Sequence, residues 1–233
     1  MKPQIARIDW PSAVRIIRSI HPPIDLFEDI ADPADWPLLL AAEAKTNPRL
    51  MLGLGQLDLV PEARRAGGPG ASWLMAPFTH TSPDRAGRFH DGRFGALYAG
   101  NRFEVALFET IHHHRRFMAA TSEAPGWTSQ FRELVMDVAG DLADLRGGDP
   151  GYVSALDPDS YADSQALARS LREGGGDGIV YPSVRWPEGE AVALFYPDLA
   201  RRPVQARHLD YHWDGARVDL YRDAGSGQVY RIG

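Results

Sequence analysis

Gly87-Arg88-Phe89-His90-Asp91-Gly92-Arg93-Phe94-Gly95-Ala96-Leu97-Tyr98-Ala99, followed by Ala106-Leu107-Phe108-Glu109, is the stretch on which the reading of this chain turns. Its first half is polar and punctuated by glycine, which marks a loop. Ala96–Ala99 is a short apolar run of the kind a buried strand shows, and Asn101 stands as a cap ahead of a helix over Phe103–Phe117. In that helix Phe103, Ala106/Leu107, Thr110/Ile111 and His114 recur at helical spacing. Glu109 follows Leu107 by two positions, about 200° around the helix and off the centre of this stripe. A loop Arg88, a strand Tyr98 and a helical Glu109 can therefore line one cleft. Each also has an ordinary reading: a surface ion-pair partner, a core aromatic with a tethered hydroxyl, and a solvated helix residue.

Working outward, Pro11-Ser12 opens a predicted helix over Ala13–Ile20, with Val14 and Ile17 at helical spacing and His21-Pro22-Pro23 as its stop. A second helix is expected from Trp36 to Ala44, capped by Asp32 with Pro33 in its first turn. The glycine-rich stretch Gly53–Ser72 reads as a loop or hinge, and Trp73–His80 as a buried strand. Downstream, Phe131–Val138 alternates as a strand, and Ser164–Glu173 is a helix ended by Gly174-Gly175-Gly176. Gly178–Tyr181 and Ala191–Tyr196 are short buried strands. His208–Trp213 and Val218–Arg222 form a hairpin about Asp214-Gly215, and a last strand covers Gln228–Ile232. Strands with helices dispersed among them predict an α+β fold with mostly antiparallel β-sheets flanked by helices. The expected organisation is a helical N-terminal extension, residues 1–72, packed on a core of residues 73–233 as one compact unit.

Composition narrows the chemistry. The 233 residues contain no cysteine, which removes disulfides, zinc-thiolate sites, iron–sulfur clusters and a thiol nucleophile. A net charge of −6 argues against direct nucleic-acid binding, although 23 of the 25 basic residues are arginine. No apolar run approaches a membrane span and Met1–Trp10 has no apolar signal core, so a cytoplasmic address and no membrane partner are expected.

The remaining motifs are weaker than they look. In His112-His113-His114, neighbours on a helix point about 100° apart, so they cannot converge on one ion, and no metal site is expected. Gly174-Gly175-Gly176-Asp177-Gly178 follows a helix and lacks the Lys-Ser/Thr of a phosphate loop; it reads as a helix end. No G-x-S-x-G elbow is present. Gly178-Ile179-Val180-Tyr181-Pro182-Ser183-Val184-Arg185 is more informative, because an apolar strand there releases a Ser and an Arg at its end.

The order Arg88-x₉-Tyr98-x₁₀-Glu109, followed by Gly178–Arg185, resembles the RES domain, named for its Arg, Glu and Ser. The surroundings resemble its ParT-like branch: Asn47-Pro48-Arg49, Met75-Ala76-Pro77-Phe78-Thr79-His80, Arg88–Gly92 and Tyr161–Leu167. The similarity runs from about residue 15 to the C-terminus. The familiar Gly-Gly-Arg-Trp-Asn motif is here Ala86-Gly87-Arg88-Phe89-His90: the arginine is kept while Trp and Asn are replaced.

The resemblance implies an ADP-ribosyltransferase-like fold and the toxin of a bacterial toxin–antitoxin pair, with NAD⁺ as the consumed substrate. It implies mono-ADP-ribosyl transfer to a protein acceptor, an enzyme of nucleotide synthesis being one candidate, with NAD⁺ glycohydrolysis or phosphorolysis as the alternative. The implied partner is an antitoxin carrying an Xre-like helix-turn-helix that occludes the NAD⁺ cleft and supplies DNA binding. Breaking the nicotinamide–ribose bond passes through an oxocarbenium-like centre, which a carboxylate stabilises. Under this reading Glu109 contacts the reacting ribose, Arg88 pairs with the diphosphate or adjacent ribose, and Tyr98 walls the nicotinamide or ribose. Ser183 hydrogen-bonds NAD⁺, Arg185 is a second phosphate contact, and His80 joins the NAD⁺-binding set. A reading from another class is a catalytically silent protein-interaction module, for which Arg88 and Glu109 would be dispensable.

Overall fold

The computed structural model describes residues 3–20 and 55–233. Its frame is a sheet of eight strands: β1 (Gln4–Arg18), β2 (Leu97–Gly100), β3 (Trp127–Asp144), β4 (Gly178–Pro182), β5 (Glu190–Leu194), β6 (Ala200–Trp213), β7 (Val218–Asp223) and β8 (Val229–Arg231). Their order is β1-β2-β5-β4-β3-β6-β7-β8, and β1 also pairs with β3. Five strands thus close a circuit through β1, β2, β5, β4 and β3, from which β6, β7 and β8 extend as an antiparallel flap. Among the described residues only the β3–β4 pairing is parallel; the others are antiparallel. The predicted α+β class with mostly antiparallel pairing is what forms.

Among the described residues three α-helices, α1 (Ala71–Thr79), α2 (Phe103–Ala119) and α3 (Ala162–Glu173), lie against this sheet. Strand alternation sorts them onto its two faces. Val180, Val192 and Leu194 face one side and join Leu74, Met75 and Phe78 of α1 in one core. Ile179, Tyr181, Ala191 and Ala193 face the other, where Val105 of α2 and Ala168 of α3 cover them. A third cluster packs Leu107, Ile111 and Met118 of α2 on Phe131 of β3 and on Leu209 and Tyr211 of β6. Buried apolar area of this kind is the main stabilising term of the fold. Among the described residues no helix is long and apolar enough to cross a membrane.

Two local readings are corrected. The expected helix over Ala13–Ile20 is instead the second half of β1, paired residue by residue with β3 from Ala13↔Met136 to Arg18↔Phe131. Pro11-Ser12, read as a helix start, falls in the register shift between Trp10 and Ala13. A β-bulge is the place in a strand that tolerates proline. Two apolar positions at helical spacing could not outweigh the β-branched Val14, Ile16 and Ile17, which fit a pleated surface. The stretch 4–18 is therefore a sheet strand and not part of a helical extension. Trp73–His80, expected as a strand, lies in α1. A short continuous apolar run does not by itself distinguish a buried helix from a buried strand, and here Leu74 and Phe78 sit one turn apart on the core side. The helix expected over 36–44 and the Asn47-Pro48-Arg49 motif lie outside the described residues.

The Asp214-Gly215 turn acts as expected. Gly215 takes φ +103° in the hairpin, and the Asp214 carboxylate accepts both the Ala216 and Arg217 N–H groups at 2.8 Å. Asn101 caps differently than expected: its side-chain oxygen accepts the Glu190 N–H at 2.9 Å, while the helix itself starts from an Arg102 that makes no side-chain cap.

Candidate active site

A cavity of about 480 Å³ lies between α2, the C-terminal half of β1 and the loop before β2. Arg88, Tyr98 and Glu109 all line it. The loop places Arg88 by a tight turn in which the Gly87 N–H donates to His90 O at 2.9 Å. A Cβ on Gly87 would stand 2.9 Å from the Tyr98 hydroxyl and 2.7 Å from His90 Nε2, so only glycine lets this turn close on the strand. The Gln165 side chain of α3 holds the turn from behind, donating to Gly87 O at 2.9 Å.

Arg88 is buried, with 7% of its surface exposed. Its Nη1 donates to Asp157 O at 2.6 Å and to Ala155 O at 3.4 Å, and its guanidinium stands 4.7 Å over the ring of Tyr161. Carbonyls and a π face orient this cation without neutralising it. The Tyr98 hydroxyl accepts the Phe89 N–H at 2.8 Å, and burial pushes that phenol's pKa up. It is an aromatic wall with a fixed hydroxyl, and it stays protonated.

Among the described residues Glu109 is the one carboxylate lining the cavity. Burial raises its pKa above the ordinary glutamate value, opposed by the nearby charges of Arg88 and Arg185. Tyr181 lines the same wall, its ring 4.8 Å edge-on to Phe89. Burial first, and then the Glu109 carboxylate, push its phenol up. One helical turn beyond Glu109, His113 faces the same cavity; desolvation, with Arg116, Arg185 and Arg88 nearby, lowers its pKa and favours the neutral ring.

Sequence reasoning missed Arg15. Read as helical, it had no reason to face Arg88 and Tyr98; as a residue of β1 it lines the cavity beside them. Its Nη1 donates to Tyr98 O at 3.0 Å while its Nε has no hydrogen-bond partner. Burial lowers its pKa to about 10, which still leaves it charged at neutral pH. Tyr161 and Tyr181 were within the motifs already noted, but their roles depend on elements distant in sequence.

Three expected members are not among the residues lining the cavity. Ser183 is buried: its Oγ accepts the Trp186 N–H at 3.0 Å and its own N–H donates to Gly189 O at 2.9 Å, so it builds the turn between β4 and β5. Arg185 donates through Nη2 to Pro158 O at 2.8 Å and lies 3.0 Å from His112 Nε2. Burial and then Arg185 lower the His112 pKa to about 4, so its neutral ring accepts that bond. Arg185 reaches Glu109 through its field. His80 is exposed at the end of α1, its Nδ1 3.0 Å from Thr79 Oγ1, and α1 packs on the opposite face of the sheet. The three adjacent histidines meet different surroundings: His112 faces Arg185, while His113 and His114 both line the cavity, His114 packed also on the rings of Phe131 and Tyr211.

The RES domain family model matches residues 62–214, an interval holding Arg88, Tyr98, Glu109 and Ser183. The chain belongs to the RES domain family. This RES protein is 31% identical over 218 residues to the uncharacterized protein y4oC of Sinorhizobium fredii, spanning 91% of this chain and 88% of that one. Among solved structures, the M. tuberculosis MbcT–MbcA toxin–antitoxin complex aligns with a TM-score of 0.43 at 13% identity, covering 86% of each chain. That likeness is too distant to carry an argument. The RES assignment rests on the family match.

Proposed function

We propose that this RES domain is the toxin of a bacterial toxin–antitoxin pair, cleaving the nicotinamide–ribose bond of NAD⁺ and transferring ADP-ribose to a protein acceptor. The observation that carries the reading is the convergence of Glu109, Arg88, Arg15 and Tyr98 on one cavity. One desolvated carboxylate faces cations and aromatic walls, an arrangement suited to a dinucleotide with a negative diphosphate and a cationic leaving group.

In the reaction the bond between ribose C1′ and the pyridinium nitrogen breaks, and its electron pair leaves with neutral nicotinamide. Positive charge develops on C1′ and the ring oxygen, and an acceptor heteroatom then bonds to C1′ and loses its proton. Glu109, as carboxylate, accepts a hydrogen bond from a hydroxyl of that ribose and places its charge against the developing cation. Arg88 and Arg15 bind the diphosphate. Tyr98 and Tyr181 flank the nicotinamide riboside and restrict water. Ser183 acts indirectly, by fixing the turn after Tyr181. The cognate partner is an antitoxin with an Xre-like helix-turn-helix that covers the cleft.

The test is an NAD⁺ assay on the purified chain without antitoxin, with bacterial protein extract added as acceptor, followed by mass spectrometry of small molecules and proteins. Free nicotinamide together with ADP-ribosylated protein is expected, and Glu109→Ala should release none. ADP-ribose found only in solution would replace transfer by hydrolysis. NAD⁺ left intact, or a Glu109→Ala chain as active as the parent, would overturn the catalytic reading in favour of a silent binding module.

A further inference from the structure

The cavity has two aromatic ends. At one, Tyr98, Tyr161 and Tyr181 surround Glu109 and Arg88. At the other lie His114, Phe117 and Phe131 with Arg18 of β1. Both ends are marked out along α2, where Glu109 and Phe117 are separated by two turns, about 12 Å of helix rise. Arg15 stands on the wall that joins them. A mononucleotide would fill one end; a dinucleotide reaches both.

The second end carries features that packing alone does not explain. Phe117 is 51% exposed although it lines the cavity. The Arg18 guanidinium stands 5.0 Å from its ring centroid. The His114 ring lies nearly parallel to Phe117, at 16° and 6.0 Å, and edge-on to Phe131 at 5.0 Å. His114 is buried, with 4% of its surface exposed, and among the described residues its Nε2 has no hydrogen-bond partner; nor has Arg18 Nε. Buried polar atoms are nearly always paired in folded proteins, so orphans beside an open aromatic surface point to a ligand. Burial, and then Arg18, lower the His114 pKa to about 4, so the ring is neutral and offers one donor and one acceptor. The matching ligand part is a flat heteroaromatic ring with polar edges.

We infer that Phe117, Arg18 and His114 form the purine subsite, seating the adenine of the dinucleotide two helical turns from the bond that Glu109 breaks. This rests on the NAD⁺ reading above and adds the direction of the substrate in the cleft. Glu109 fixes the nicotinamide riboside among the tyrosines, Arg15 receives the diphosphate, and the adenine stacks on Phe117 under the Arg18 guanidinium.

Isothermal titration with ADP-ribose, which carries the adenine, and with nicotinamide mononucleotide, which lacks it, tests this without requiring turnover. Phe117→Ala should bind ADP-ribose about tenfold more weakly, the order of one lost base–aromatic stack, and bind nicotinamide mononucleotide as the parent does. Phe117→Tyr should restore ADP-ribose binding. Because Phe117 is half exposed, its removal leaves the core intact, and matched circular dichroism of the two variants checks that. Unchanged ADP-ribose binding by a folded Phe117→Ala, or an equal loss for both ligands, would overturn the subsite while leaving the NAD⁺ reading standing. A parent that binds neither ligand would sink both.

Discussion

The charges of the cleft and those of the β3–β6–β7 flap are handled in opposite ways. On the flap, Glu133 is buried and receives Arg207 through Nε at 2.6 Å and Nη2 at 3.0 Å. Asp210 of β6 accepts Arg222 of β7 through Nε at 3.0 Å, and Asp219 pairs with His212 at 2.6 Å. Each carboxylate there meets a donor across the sheet. In the cleft, among the described residues, Arg15 and Arg88 hydrogen-bond only to carbonyls, and Glu109 lies in the field of arginines but makes none of the ion pairs. Paired charges in a sheet fix register and cost little. Unpaired charges that converge on a cavity are a standing desolvation penalty, the usual mark of a site whose missing partner is the substrate.

The sharpest way to break that contrast is Glu109→Gln. It should lower nicotinamide release about 100-fold or more and leave the thermal midpoint no lower, measured by product chromatography and calorimetry. A large loss of stability would class Glu109 with the flap carboxylates. Glu133→Gln should do the reverse, destabilising the fold by about 1–3 kcal/mol in urea unfolding with nicotinamide release unchanged. Arg15→Leu removes a partly buried cation that has no carboxylate partner among the described residues. It should raise the thermal midpoint while weakening NAD⁺ binding about tenfold, the loss of one charged contact. A stability loss as large as that of Glu133→Gln would show Arg15 to be structural.

The smallest expected effect concerns pH. If Glu109 acts as a carboxylate, as proposed, activity should rise with pH through its pKa, which burial raises and the charges of Arg88 and Arg185 lower. Removing a cation that favours the charged form raises the pKa further. Arg185→Gln should therefore shift the acid limb of the rate profile to higher pH, with little change on the plateau. A shift to lower pH, or none, would remove Arg185 from the site's field.

The sequence by itself determined a good part of this protein. The order of loop Arg88, strand Tyr98 and helical Glu109 depends on short-range periodicity and glycine punctuation, which a linear reading captures, and all three side chains meet in one cavity. The short strands β4 and β5 and the hairpin around Asp214-Gly215 are legible for the same reason. Only the tertiary structure decided the rest. Gln4–Arg18 is a strand because β3 pairs with it over nearly its full length, and no local signal outweighs such a ladder. That pairing brings Arg15 and Arg18 to the cleft, across the chain from Arg88 and Phe117. Ser183, Arg185 and His80 show the converse: each is a polar residue next to a strong motif, yet turn bonds, a loop carbonyl and the far face of the sheet hold them away from the cavity. Local chemistry is written in residue spacing, whereas which groups share a desolvated cavity depends on strand pairing between distant segments.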